Sequence, residues 1–205
     1  MLDNRITLLD LDRLLADIRQ CRACEAVLEP RPVLRASATA RLLIVGQAPG
    51  ARVHATGIPW NDASGERLRD WLQMDKSRFY DESGVAIIPM GFCYPGKGKQ
   101  GDLPPRPECA DLWHQKLQAR LPHIELTLLI GSYAQAYYLG RERKSTLTAT
   151  VSHFRQYLEN GFFPLPHPSP RNTLWLKKNA WFAQEVIPVL RERVAQLNLG
   201  DFPAA

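Results

Sequence analysis

The sequence predicts an α/β fold built around a central, mostly parallel sheet, and three observations predict it. Four short apolar runs rich in branched or aromatic residues recur along the chain. Segments of helical period lie between them, and Gly or Pro sits where the runs give way to loops. The first element is a helix over residues 6–20, where Ile6, Leu8, Leu9, Leu11, Leu14, Leu15 and Ile18 fall at mostly helical spacing. Residues 25–40 contain Pro30 and Pro32 and read as irregular crossing chain. The run 41–45 (Arg-Leu-Leu-Ile-Val) stops at a Gly/Pro loop, as a buried parallel strand does. A helix from Ser64 to Met74 and a second strand over 85–88 follow. A helix from Pro107 to Leu121 then leads to a third strand over 126–130. Gly131-Ser132 opens a helix from Tyr133 to Leu139. A fourth strand, 161–165, runs into His167, and a long helix from Trp175 to Leu197 precedes a tail, 200–205, that reads as frayed.

A chain of 205 residues is long enough for one sizeable core, so a single domain over 1–205 is expected. The net charge of +5 suits a nucleic-acid partner without requiring one. The first residues lack the basic-then-apolar plan of a signal peptide, and no apolar run approaches the roughly 20 residues of a membrane span. A cytoplasmic location, no membrane partner and a monomer are the resulting expectations. Internal repeats are absent from the sequence.

Four cysteines form one set: Cys21 and Cys24 separated by two residues, then Cys93, then Cys109. In a cytoplasmic chain such thiols point to a metal rather than to disulfides. Zinc usually takes two short Cys-x2–4-Cys knuckles, whereas here the second pair is split by a Gly/Pro-rich loop that suits wrapping a bulkier iron–sulfur cluster. Both metals stay open on chemistry alone, as do four buried free thiols. That same loop carries Lys97, Lys99 and Arg106, which read as phosphate contacts or as a solvated turn.

Two further loops follow strands. The first begins Gly46-Gln47-Ala48-Pro49-Gly50, small enough for its amides to approach a ligand closely, and continues to Trp60, Asn61 and Asp62. Trp60 reads either as core or as a flat surface for a base. The second loop is His167-Pro168-Ser169-Pro170-Arg171-Asn172. A histidine at a strand end can hold a neutral imidazole against a developing anion, and Ser169 with the amides after it can grip phosphate. In an open parallel sheet, ligands bind beyond the carboxyl ends of the strands, where both loops lie.

These residues resemble the uracil-DNA glycosylase superfamily. Gly46 to Gly50 resembles its first motif, His167-Pro168-Ser169 its second, and the cysteine spacing is similar to that of the thermophile-type, iron–sulfur (family-four) branch. The resemblance spans about Cys21 to Asn172. It implies a three-layer α/β/α fold with a four-stranded parallel sheet, and a monofunctional repair hydrolase that flips a damaged base out of DNA and releases it. It further implies that His167 donates a hydrogen bond to O2 of the leaving uracil, with Gly46, Gln47, Ala48 and Trp60 around the base. Ser169, Arg171 and Asn172 would press the minor groove. A four-iron four-sulfur cluster would sit on Cys21, Cys24, Cys93 and Cys109, with zinc the alternative.

Three positions depart from that pattern. Gln47 replaces an acidic residue, and Ala48 stands where other branches carry a water-activating Asp. Pro89 replaces the Asn that reads uracil, and Asn61 is a candidate to compensate as a base-binding residue. Asp62 is then a candidate to orient water, or else a cap for the helix at Ser64, and His54 is a weaker candidate. Released bases other than uracil, among them hypoxanthine, xanthine and oxidised pyrimidines, enter for the same reason. Two other classes compete. One is a non-catalytic or weakly active iron–sulfur DNA-binding protein of the same fold; the other is a zinc-stabilised nucleotide-binding protein.

Overall fold

The structure, a computed structural model, describes residues 2–99 and 101–199; the tail from Gly200 and the side chains of Ile6, Leu8 and Leu9 lie outside the described residues. In chain order the elements are α1 (Leu2–Arg19), β1 (Leu42–Val45), α2 (Ala51–Thr56), α3 (Ala63–Leu72), α4 (Lys76–Phe79) and β2 (Val85–Ile87). A hairpin of β3 (Lys97–Gly98) and β4 (Gly101–Asp102) follows. A π-helical turn (Ala110–His114) runs into α5 (Gln115–Gln118), then come β5 (Leu126–Ile130), α6 (Ser132–Leu139), α7 (Leu147–Ser152), α8 (Phe154–Leu158) and β6 (Phe162–Leu165). The chain closes with α9 (Thr173–Lys178) and a second π-helical turn (Phe182–Val186) that continues as α10 (Ile187–Gln196).

The four apolar runs form one all-parallel sheet in the order β2-β1-β5-β6. Its strands are buried on both faces, which is why they read as continuous rather than alternating apolar runs. Leu42, Ile44, Leu128 and Phe163 pack with α3, α8 and α10, while Leu43, Val45, Ala86 and Leu129 pack with α1, α5 and α6. The result is a three-layer α/β/α fold. Pro164, which has no N–H to donate, is tolerated because β6 is an edge strand bonded only to β5.

The predicted strands and the helices at α1, α3, α5 and α6 are present within a few residues. The long helix from Trp175 is broken. Asn179 leaves the helical region (φ −120°, ψ 61°), and its backbone N–H and side-chain amide both donate to the Trp175 carbonyl, at 3.0 and 2.8 Å, closing the helix there. Four short helices were not predicted. Each spans only four to six residues, too few for a periodic signal, although Asp75 and Thr146 cap two of them through Arg78 N and Ala149 N.

The strand order reverses between β1 and β5. The chain leaves β1 toward β2 on one side, then crosses back to β5 and β6 on the other. That switch point opens a crevice at the carboxyl ends of the strands.

Candidate active site

A cavity of about 400 Å³ occupies this crevice, a size that holds small ligands. Gly46, Gln47, Ala48, Trp60, Asp62, His167, Ser169, Arg171 and Asn172 all line it, so both predicted loops converge. Neither Asn61 nor His54 is among the lining residues; His54 instead pairs with Glu29 through Nε2 at 3.2 Å.

The first loop is fixed by the strand next to it. Met90 N donates to Gly46 O and Gly91 N to Gln47 O, both at 2.9 Å, so these carbonyls are engaged. Among the described residues, the N–H groups of Gln47 and Ala48 meet no backbone carbonyl, which leaves them as donors at the cavity wall. Pro89, just beyond β2, lies at the same wall, and its carbonyl accepts from Nε2 of the buried His114 at 3.1 Å.

Trp60 is held in a backbone conformation that non-glycine residues rarely adopt, with φ 56°. Its surroundings enforce this. Arg69, buried at the start of the core, donates to Trp60 O at 3.2 Å, and the Tyr80 hydroxyl donates to Pro59 O at 2.9 Å. The indole then lies against Gly46, where a Cβ would meet Cζ2 at 2.8 Å. Its ring centre is 5.6 Å from that of His167, with the planes 35° apart. Trp60 therefore packs on the core and also presents an aromatic surface to the cavity.

The second loop organises His167. Ser169 N donates to Nδ1 at 3.2 Å, which makes Nδ1 the acceptor of a neutral ring and puts the proton on Nε2. Burial pushes the His167 pKa below its ordinary value, against the opposing pull of the Asp62 and Asp102 charges. The ring is thus a neutral donor at neutral pH. Asn172 Nδ2 donates to His167 O at 2.8 Å, and Arg67 on α3 donates to Ser169 O at 3.0 Å. The amides of Ser169, Arg171 and Asn172 are all engaged inside the loop, on His167 Nδ1, Ser169 Oγ and Ser169 O respectively. The phosphate grip expected from those amides is therefore not formed; any contact with DNA here falls to side chains.

Asp62 serves as the cap that was one of its two expected roles. Its Oδ1 accepts from Gly65 N at 2.8 Å while the residue also lines the cavity. Two participants were missed by sequence reasoning. Arg67 carries no motif signal. Asp102 lines the cavity from β4, and nothing in its Gly-Asp-Leu-Pro surroundings announced that placement.

The four cysteines, dispersed along the chain, line a second, smaller cavity together. Cys109 is buried, and burial pushes its thiol up to about 12; Cys93 is raised for the same reason. Phe92 N lies 3.4 Å from Cys109 Sγ, as a donor to sulfur. Among the described residues, no three His, Cys, Asp or Glu side chains converge on the position of a single ion.

A stability prediction follows from two histidines. Burial lowers the pKa of His114 as it does that of His167. The unfolded chain binds these protons below pH about 6.5, whereas the folded chain resists them until lower pH. Their contribution to stability is complete above that pH and declines as pH falls through it. The decline is at most about 1.4 kcal/mol per pH unit for each ring, and it ends once the folded-state values are passed. Urea unfolding midpoints on either side of pH ~6.5 will measure it, and a midpoint that rises on acidification would contradict it.

Among the described residues no helix is long and apolar enough to cross a membrane. Residues 35–191 match the family model of the uracil DNA glycosylase superfamily. The match takes in both cavity loops, Cys93 and Cys109, and leaves Cys21 and Cys24 outside its span.

Proposed function

The chain belongs to the uracil DNA glycosylase superfamily, and from that premise we propose that it is a monofunctional DNA glycosylase. It draws uracil or another deaminated base out of DNA and hydrolyses the bond joining base to deoxyribose. A single observation carries this reading: an imidazole whose Nδ1 is already bonded to Ser169 N, leaving Nε2–H as a donor in a cavity walled by Trp60. As the bond breaks, negative charge moves onto the base. A fixed neutral donor stabilises that charge without needing to give up its proton. Trp60 supplies a face for stacking, and the amides of Gln47 and Ala48 supply donors to base oxygens.

Pro89 at the cavity wall offers no side-chain donor or acceptor, so base selection falls to backbone groups and shape. Hypoxanthine and xanthine therefore join uracil as substrates to be tried. DNA is the macromolecular partner, with Arg171 and Asn172 at the cavity and a net charge of +5 favouring it, in the compartment where DNA is repaired. The test is a base-release panel with anaerobically purified protein on single- and double-stranded DNA carrying each of these bases, read as alkali-labile abasic sites. Salt-sensitive DNA binding with no base released from any substrate would favour a non-catalytic DNA-binding protein instead, the reading that Ala48 motivates.

The same proposal assigns a four-iron four-sulfur cluster to Cys21, Cys24, Cys93 and Cys109. Four thiols drawn from three separate segments line one cavity, which supports a wrapped cluster, with zinc the alternative. When bound, such a cluster supplies a cross-link between the chain after α1 and the helical segment containing Cys109. Cys109→Ser is expected to lose bound iron and sulfide and to melt lower than the wild type. Stoichiometric zinc without iron in the wild-type protein would overturn the assignment.

A further inference from the structure

We propose that Asp102 is a catalytic carboxylate of this site, receiving the proton of the water that attacks the sugar. The inference rests on the glycosylase reading above and extends it to a residue outside both motifs. Hydrolysis of an N-glycosidic bond needs a proton acceptor for water and a negative group near the cationic sugar. Among the described residues, Asp62 and Asp102 are the two carboxylates lining the cavity. Asp62 has one oxygen committed to Gly65 N at the start of α3. It is also half-buried, on the same wall as Trp60.

Asp102 is placed differently. It lines the cavity yet is exposed, so it stands at the mouth. A base that stacks on Trp60 and reaches His167 leaves its deoxyribose at that mouth, because the sugar stays joined to the DNA backbone. The carboxylate is held over the first loop: Oδ2 lies 3.5 Å from where a Cβ on Gly50 would sit, and the Tyr94 hydroxyl donates to Oδ1 at 3.4 Å. The Arg171 guanidinium packs against neighbouring Gly101, which ties the hairpin to the His167 loop.

In the step assigned to it, the water oxygen bonds to C1′ while the bond from C1′ to the base nitrogen breaks. The bonding pair leaves with the base, whose charge is met by His167 Nε2–H. Asp102 takes the water proton and returns it to solvent.

The test is single-turnover base release by D102N and D102E, with DNA affinity measured in parallel. Asparagine keeps the size of the side chain and a carbonyl for Tyr94, but it cannot accept the proton. The expected result is a rate about 100-fold lower for D102N, DNA affinity equal to or tighter than that of the wild type, and partial recovery in D102E. A wild-type protein that releases base alongside a D102N protein of equal rate overturns the assignment and leaves the glycosylase reading standing. A wild-type protein that releases no base from any substrate overturns both.

Discussion

Replacing His167 by alanine is expected to slow base release by about a thousandfold, at the upper end of what one anion-stabilising donor contributes. The reason is local and complete. The ring offers one donor, Nε2–H, because Ser169 N already occupies Nδ1. Burial keeps the ring neutral, so the donor exists throughout the neutral pH range. Removing the ring deletes the hydrogen bond at the moment the base acquires charge. Little else in the fold depends on the side chain: the Asn172 amide bonds the His167 carbonyl, and Arg67 braces the loop through Ser169 O. The circular dichroism spectrum and DNA affinity should therefore stay close to those of the wild type. Release within a few-fold of wild type would show that the donor is elsewhere.

Gly65→Ala is expected to destabilise the protein by about 3 kcal/mol, the upper end of what overpacked core substitutions usually cost. Gly65 sits in the first turn of α3, where a Cβ would lie 1.7 Å from the Trp60 carbonyl oxygen. The clashing atom is backbone and cannot swing aside. That same carbonyl accepts from buried Arg69, so moving it also breaks a charge-assisted hydrogen bond. Two outcomes are available to the variant: α3 shifts away from the loop, or Trp60 leaves its left-handed conformation. Either one pulls the indole off Gly46. The melting temperature should fall by roughly 10 °C for a chain of this size, and base release should fall with it. An unchanged melting temperature would mean that the close approach of α3 to Trp60 is wrong.

The strands were legible because burial on both faces writes a continuous apolar run into four or five adjacent residues. The loops were legible because small residues and prolines mark where such runs stop. His167 and the Gly46 loop came from those local signals together with the resemblance. Asn61, a candidate to compensate for the Asn that Pro89 replaces, is not among the residues lining the cavity. Trp60 itself was ambiguous, and rightly so, since one residue packs on the core and lines the cavity at once. The break at Asn179 was hidden because apolar periodicity continues on either side of it. The dihedrals of Asn179 and the bond from its side chain to the Trp175 carbonyl reveal that the helix ends there.

The sequence by itself determined the order of the four sheet strands and the main helices between them, the superfamily, and which two loops would meet at one edge of a parallel sheet, because each of these follows from patterns within a few residues. Tertiary structure alone decided which carboxylate reaches the cavity mouth, that Ser169 N sets the tautomer of His167, and that Arg67 and Arg69 brace the two loops. Those contacts join residues from two to more than a hundred positions apart. Their direction depends on backbone angles and packing that no run of neighbouring residues encodes.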